Sequence, residues 1–193
     1  MGMKKQRIYI IGTQKMADMI FDIATRSGYF VAGFFDDVSK EKMHLGKPIF
    51  GPVAASLTKK FMSQAAFIIA VGDNKGRAKL IKILKKAGAE IANIIDKTAV
   101  IMPSSRVGRG NIFFPHSFVG SQCQMGDGNI CFPGVVITHH DRIGDYNFLA
   151  PGVTIGGDTI IGSHTKIGMN SVIAPHIRVP DAYTCPPLTL KKK

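Results

Sequence analysis

The stretch GVVITHHDRIGDYNFLAPGVTIGGDTIIG, residues 134–162, places an aliphatic residue at every sixth position, at 137, 143, 149, 155 and 161. Extended in both directions, the series runs Ile95, Ile101, Val107, Phe113, Val119, Met125, Cys131, Ile137, Ile143, Leu149, Ile155, Ile161, Ile167, Ile173 and Val179, all apolar and with no break in phase. Glycine follows at 108, 120, 126, 144, 156, 162 and 168, and the fifth place of the hexad is mostly small, as at Ser117, Cys123, Asn129, Asn147 and Thr159. A period of six matches neither a helix nor a half-buried strand. It predicts short parallel strands wound into a triangular coil, three hexads to a turn, which is a left-handed parallel β-helix with coils stacked about 4.8 Å apart. This is an exception to the right-handed rule for parallel crossovers. Such a solenoid needs closed ends. The preceding domain is expected to close one, and the Pro-rich exit VPDAYTCPPLTL, 179–190, the other.

Upstream the period changes. QRIYIIG (6–12) reads as a buried parallel strand, QKMADMIFDIATRSG (14–28) as a helix with Met16, Ile20, Ile23 and Ala24 on one face, and YFVAGFFDD (29–37) as a second strand. AAFIIAVGD (65–73) is a third strand, NKGRAKLIKILKKAGAE (74–90) a helix carrying Leu80, Ile81, Ile83 and Leu84, and IANIID (91–96) a last strand leading into the coil. The fold class is therefore an α/β Rossmann-like N-terminal domain followed by the β-helix. The boundaries drawn are 1–93, 94–180 and a tail at 181–193. Ligands of such sheets bind beyond the carboxyl ends of the strands, here Gly12-Thr13, Asp36-Asp37 and Gly72-Asp73-Asn74.

Charge and cysteine usage narrow the classes. The formal charge is +12; residues 1–93 hold 16 Lys/Arg against 7 Asp/Glu, whereas the rest is nearly balanced apart from Lys191-Lys192-Lys193. A basic N-terminal half suits an anionic small molecule such as a nucleotide, or serves solubility alone. Without Trp, an arginine-rich arm or a reading motif, nucleic acid is not the expected partner. The apolar run after the basic start is short for a signal peptide, and no run reaches the length of a membrane span, so the reading is cytoplasmic, without membrane insertion. Cys123, Cys131 and Cys185 lack C-x-x-C spacing and read as reduced structural thiols.

The opening IYIIGT, the later FFDD and IIAVGDN, and the hexads with THHDRIGDYNFLAPGVTIGG resemble the bacterial acyltransferases typified by sialic acid O-acetyltransferase and the UDP-4-amino-sugar N-acetyltransferases. The similarity covers nearly the whole chain. It implies a homotrimer, acetyl-CoA as co-substrate in the groove between neighbouring β-helices, and a nucleotide sugar or sugar held partly by the N-terminal domain; no metal is expected. By the same resemblance the general base lies four residues before the Ile of the following IGD, at His139, with His140 and Asp141 completing the catalytic group. Phe148, Gly152, Gly157 and Met169 are the implied coenzyme positions, and Gly12, Thr13, Asp36, Asp37, Gly72 and Asp73 the implied substrate positions. Backbone N–H groups near Gly152 or Gly157 are candidates to meet an oxyanion.

The chain departs from that family at functional places. The residue after the base is often a carboxylate and here is His140, with Asp141 the nearest acid. A second histidine of the amino-sugar enzymes is replaced by Phe148; the glycine-rich first loop is Gly12-Thr13-Gln14-Lys15-Met16; and a Gly-x-Pro near the end is Cys185-Pro186-Pro187. His116, His140, His164 and His176 share the fourth place of their hexads, and His140 and His176, two coils and about 10 Å apart, are too distant to ligate one metal within a chain. The reading is an acetyl-CoA-dependent acetyltransferase of a nucleotide-linked amino sugar for surface glycan or glycoprotein synthesis. Sialic acid O-acetylation is its close variant, and a non-catalytic trimeric sugar-nucleotide-binding protein the alternative of another class.

Overall fold

The computed structural model describes residues 6–192, so the readings of the first five residues and of Lys193 lie outside the described residues. The chain divides into two compact units, Met1–Ile94 and Ile95–Lys193.

In the first unit a parallel three-stranded sheet is ordered β2-β1-β5, with β1 Arg7–Ile11, β2 Phe30–Phe35 and β5 Ala66–Ile69. Ile8 to Ile11 are all buried, as expected of a central parallel strand covered on both faces. Helix α1 (Lys15–Arg26) follows β1 and buries Ala17, Ile20, Ile23 and Ala24. Between β2 and β5 the chain forms a small hairpin, β3 (Met43–His44) with β4 (Lys47–Pro48), and two short helices, α2 (Val53–Ser56) and α3 (Lys59–Met62). Gly33 makes the hairpin's approach possible: a Cβ there would lie 2.5 Å from the Phe50 ring and 2.6 Å from the Pro48 carbonyl.

Two expectations change here. Helix α4 (Asn74–Lys86) buries Arg77, Ala78, Ile81 and Leu84, leaving Ile83 38% exposed, because the buried stripe advances three to four residues at a time from Arg77 and passes beside Ile83. IANIID is not one strand: Ile91 makes a single bridge to Phe67, whereas Ile94–Ile95 pairs with Ile112–Phe113 and begins the coil.

The second unit is a solenoid of two-residue strands set six residues apart. Residues 18 apart pair in parallel, which builds three sheets. Phe118, Val136, Thr154 and Val172 lie in the first sheet; Gln124, Arg142, Ile160 and Arg178 in the second; Ile130, Phe148, Lys166 and Thr184 in the third. The residue after each of these points inward: Val119, Ile137, Ile143, Leu149, Ile155, Ile161, Ile167 and Ile173 are all at most 4% exposed and form one core. From Gly110 to Leu188 the fourth residue of every hexad has positive φ, including His116, His140, His164 and His176. Glycine, Asn, Asp and His tolerate that conformation best, which accounts for much of the repeat's composition.

The glycine that follows each inward residue of the second sheet has a separate cause. At Gly108, Gly126, Gly144 and Gly162 a Cβ would approach within 2.1–2.6 Å of the Asp127, Asp145, Ser163 or Asp181 side chain of the next coil. Those side chains accept the N–H groups of Arg109, Asp127, Asp145 and Ser163, at 2.7, 2.6, 3.0 and 2.6 Å. This ladder closes one corner of the prism.

The coil continues past residue 180, where the sequence reading ended it. Thr184–Cys185 pairs with Lys166–Ile167 and Leu190–Lys191 with Val172–Ile173, and Cys185 is 2% exposed at an inward place. The Pro-rich segment is thus another coil rather than a plug, since its prolines sit at corners where no ladder N–H is needed.

Candidate active site

His139 stands at the third place of its hexad, on the corner that follows the Val136–Ile137 strand, and is exposed. The residue one coil on is Gly157. A Cβ at Gly157 would lie 2.3 Å from His139 Cε1, 2.7 Å from Nε2 and 2.8 Å from Nδ1, so the imidazole lies flat against the space a side chain would fill. His139 Nδ1 is 3.2 Å from His140 Nδ1, and the rings meet edge to face with centroids 5.3 Å apart. His140, at φ 57°, donates its N–H to the Ser121 carbonyl.

On this corner the Asp/Ser ladder of the neighbouring corner is interrupted. Gly157 has no side chain, and the next third-place residue is Pro175. The Gly157 N–H accordingly has no partner among the described residues. Gly152, the other candidate oxyanion donor, gives its N–H to the Pro133 carbonyl at 3.0 Å and is committed.

Asp141 sits behind the two histidines, fully buried. Its Oδ1 accepts the Thr159 N–H at 2.9 Å, and among the described residues its Oδ2 has no partner within hydrogen-bond distance. Asn129 and Asn147 occupy the equivalent place at another corner. Each accepts from the coil above and also uses its amide to donate to a carbonyl three residues back, at 3.2 Å to Gly126 and Gly144. A carboxylate cannot make that second bond. Burial drives the Asp141 carboxyl up to about 6, against the opposing pull of the Thr159 N–H and of the charge and N–H of His139.

The remaining coenzyme candidates lie elsewhere on this chain. Phe148 belongs to the third sheet, half-buried, 4.9 Å from the Phe132 ring and beneath the Lys166 ammonium. Gly152 and the half-exposed Met169 occupy the corner after that sheet, not the His139 corner. Of the four, only Gly157 meets His139 within one chain.

Of the substrate candidates, Gly12, Asp36, Asp37, Gly72 and Asp73 line a cleft of about 860 Å³ in the first unit together with Lys15, whereas Thr13 is not on its wall. Their carboxylates are already engaged. Asp36 accepts from the Thr13 N–H and hydroxyl and from the Val38 and Ser39 N–H groups, at 2.8–2.9 Å. Burial alone would raise it, but these four bonds together hold it below the ordinary carboxylate value. Asp37 accepts the Val53 N–H, and Asp73 caps α4 through the Gly76 N–H. Sequence reasoning missed Arg77, which is wholly buried and donates to the Val71 and Gly72 carbonyls and to Asn74, shaping the cleft wall. Its signal was a cation in phase with Ala78, Ile81 and Leu84. It also missed the groove of about 600 Å³ along the second sheet, lined by Arg106, Gln124 and Arg142. Among the described residues no group of His, Cys, Asp and Glu is arranged to hold a metal ion.

Both units of this fold resemble parts of known proteins. Residues 7–84 match the PglD N-terminal domain, and residues 142–175 match the bacterial transferase hexapeptide (six repeats). The acetyltransferase domain of PglB from Neisseria gonorrhoeae superposes with a TM-score of 0.85 at 21% identity over 95% of this chain and 89% of that one; it is also known in complex with acetyl coenzyme A. PerB from Caulobacter crescentus, solved with CoA and GDP-perosamine, superposes with a TM-score of 0.66 at 24% identity over 96% of this chain and 92% of that one. An uncharacterised protein of Acanthamoeba polyphaga mimivirus is 36% identical over 117 residues, 61% of this chain, which spans 23% of that relative's length. Each family model covers less than half of the chain, and the solved structures share its two-part fold.

Proposed function

We propose that the chain transfers the acetyl group of acetyl-CoA to the amine of a nucleotide-linked amino sugar, with His139 as general base. The observation that carries this reading is the His139 corner. An exposed imidazole is packed flat on Gly157, its Nδ1 is engaged by His140, its Nε2 is left available, and the Gly157 N–H, one coil on, has no partner among the described residues. The thioester is already activated, so the protein need only orient the amine, take its proton and steady the oxyanion. His139 Nε2 takes the amine proton as nitrogen attacks the thioester carbonyl; the Gly157 N–H donates to the oxygen as it gains charge; the C–S bond breaks and the amide forms. The CoA thiolate takes the proton from the His139 imidazolium and leaves as the thiol, which returns His139 to its neutral form.

The cleft of the first unit supports a nucleotide sugar as acceptor, with Lys15 placed to meet phosphate and Asp36 shaping the loop. The solved relatives with CoA and a nucleotide sugar bound point to the same pair of substrates. A homotrimer is supported by the first sheet, whose outward stripe leaves Val100 48%, Val172 40% and Leu190 55% exposed. We place the protein in the cytoplasm, where acetyl-CoA and nucleotide sugars occur; among the described residues no helix is long and apolar enough to cross a membrane.

The test is calorimetric titration with acetyl-CoA, followed by UDP-, GDP- and CMP-linked amino sugars scored by mass for the acetylated product. Micromolar coenzyme binding and a product abolished in folded His139→Ala support the reading. An unchanged rate in that variant removes His139 from its role, and no coenzyme binding in any combination overturns acetyl transfer.

A further inference from the structure

A histidine in the fourth place of a hexad has an ordinary explanation. His116, His164 and His176 stand there with φ of 59–62°, after Pro115, Ser163 and Pro175, and serve as residues tolerant of that turn. His140 has the same backbone, at φ 57°, but a different neighbour. Among these four turns only this one has an imidazole at the preceding place, and the two Nδ1 atoms stand 3.2 Å apart.

Two Nδ1 atoms at that distance share one hydrogen, so one ring donates and the other accepts. Which nitrogen of an imidazole carries the proton is set by the bond the other makes. We propose that His140 is the positioning residue for His139, accepting its Nδ1–H and so keeping its Nε2 as a bare lone pair toward the acyl acceptor. This rests on the acetyl-transfer reading above.

Three features select that direction of donation. Gly157 removes the side chain that would otherwise lift the His139 ring off the corner, so the ring keeps the orientation in which Nδ1 meets its neighbour. The Asp141 carboxyl is buried behind the turn with no bond from either imidazole, so among the described residues His140 is the acceptor within reach of the His139 Nδ1–H. His140 is itself exposed, so its own Nε2–H is free to face water. In the reaction the amine N–H bond breaks, an N–H bond forms at His139 Nε2, and the resulting imidazolium keeps its Nδ1–H donated to the neutral His140. The charge is thereby shared through a hydrogen bond, without a direct bond to a carboxylate.

The experiment needs no substrate. Full-length protein labelled with ¹⁵N in its histidines is observed by long-range proton–nitrogen spectra, at a pH where the neutral rings are seen and with His139 assigned by its loss in His139→Asn. The wild type is expected to show His139 as the Nδ1–H form. His140→Gly, which keeps the positive φ without strain, is expected to move His139 toward the Nε2–H form, and His140→Asn, whose side-chain oxygen can accept the same bond, to restore part of the wild-type pattern. Once an acceptor sugar is in hand, His140→Gly should lower kcat about 10- to 100-fold with KM for both substrates unchanged. An Nε2–H form in the wild type, or a tautomer indifferent to His140→Gly, overturns the proposal. Absence of acetyl-CoA binding with the tautomer shift intact would overturn the acetyl-transfer reading and leave the pairing standing.

Discussion

Replacing Asp141 with Asn should stabilise the protein at neutral pH and hardly at all in acid. The carboxyl is fully buried, one oxygen takes the Thr159 N–H, and the other has no partner among the described residues. Burial holds it up at about 6, against an ordinary value of 3.8. A carboxyl raised by folding contributes stability below its unfolded value, and that contribution is lost as the pH rises through the native value. At about 1.4 kcal/mol for each pH unit between the two values, ionising Asp141 costs the folded chain about 3 kcal/mol once the pH passes 7. Asn keeps the acceptor for Thr159 and gains a donor aimed at the Thr138 carbonyl, the bond that Asn129 and Asn147 make to Gly126 and Gly144. Urea denaturation of both proteins across the range from about pH 4 to pH 8 measures the difference free of pH-independent effects. The advantage of Asp141→Asn should grow by about 3 kcal/mol over that interval, most of it between about pH 4 and 6. A difference that stays constant with pH would show that the carboxyl titrates normally and refute the reasoning.

Gly157→Ala should push the His139 ring off the corner by about 1 Å and lower acetyl transfer about 100-fold, while the unfolding free energy stays within about 0.5 kcal/mol of the wild type because the ring is exposed; steady-state kinetics and denaturation curves check both. Gly144→Ala places a Cβ 2.6 Å from Ser163 Oγ and 2.8 Å from the Gly162 backbone, and should cost about 3 kcal/mol in urea denaturation, whereas Gly134→Ala, which meets no atom but has φ 70°, should cost about 1. Asp36→Ala releases the Thr13, Val38 and Ser39 donors and should weaken nucleotide-sugar binding more than tenfold by calorimetry. Because the Asp36 carboxyl is depressed, its stabilisation is present above the ordinary value near 4 and lost as the pH falls through the native one; Asp36→Ala should therefore flatten the acid limb of stability.

The solenoid was legible because each coil repeats one local rule. An aliphatic residue every sixth position, glycine after it and a turn-tolerant residue at the fourth place define the strand, the corner and the positive φ without reference to anything distant. The reading failed where local pattern and long-range pairing part. Cys185 fills an inward place, but the prolines around it disguised the coil, and the boundary at 180 fell short. IANIID looked like one strand because six residues of the right type do not say which sheet they join. On α4 the apolar residues alone suggested Ile83, since a buried cation such as Arg77 gives no hydrophobic signal.

For the site, the sequence by itself determined the scaffold, its two units and the phase that sets His139 on a corner, since these follow from residue size and backbone tolerance counted along the chain. Only the tertiary structure decided what surrounds that histidine. It laid the imidazole on Gly157, 18 residues away; joined it to His140; left one oxygen of Asp141 without a partner among the described residues; and turned the carboxylate of Asp36 toward its own loops. Apart from the pairing with His140, its neighbour in sequence, those outcomes depend on which residue lies one coil or one strand away, and it is hydrogen bonding between coils and strands that makes such residues neighbours.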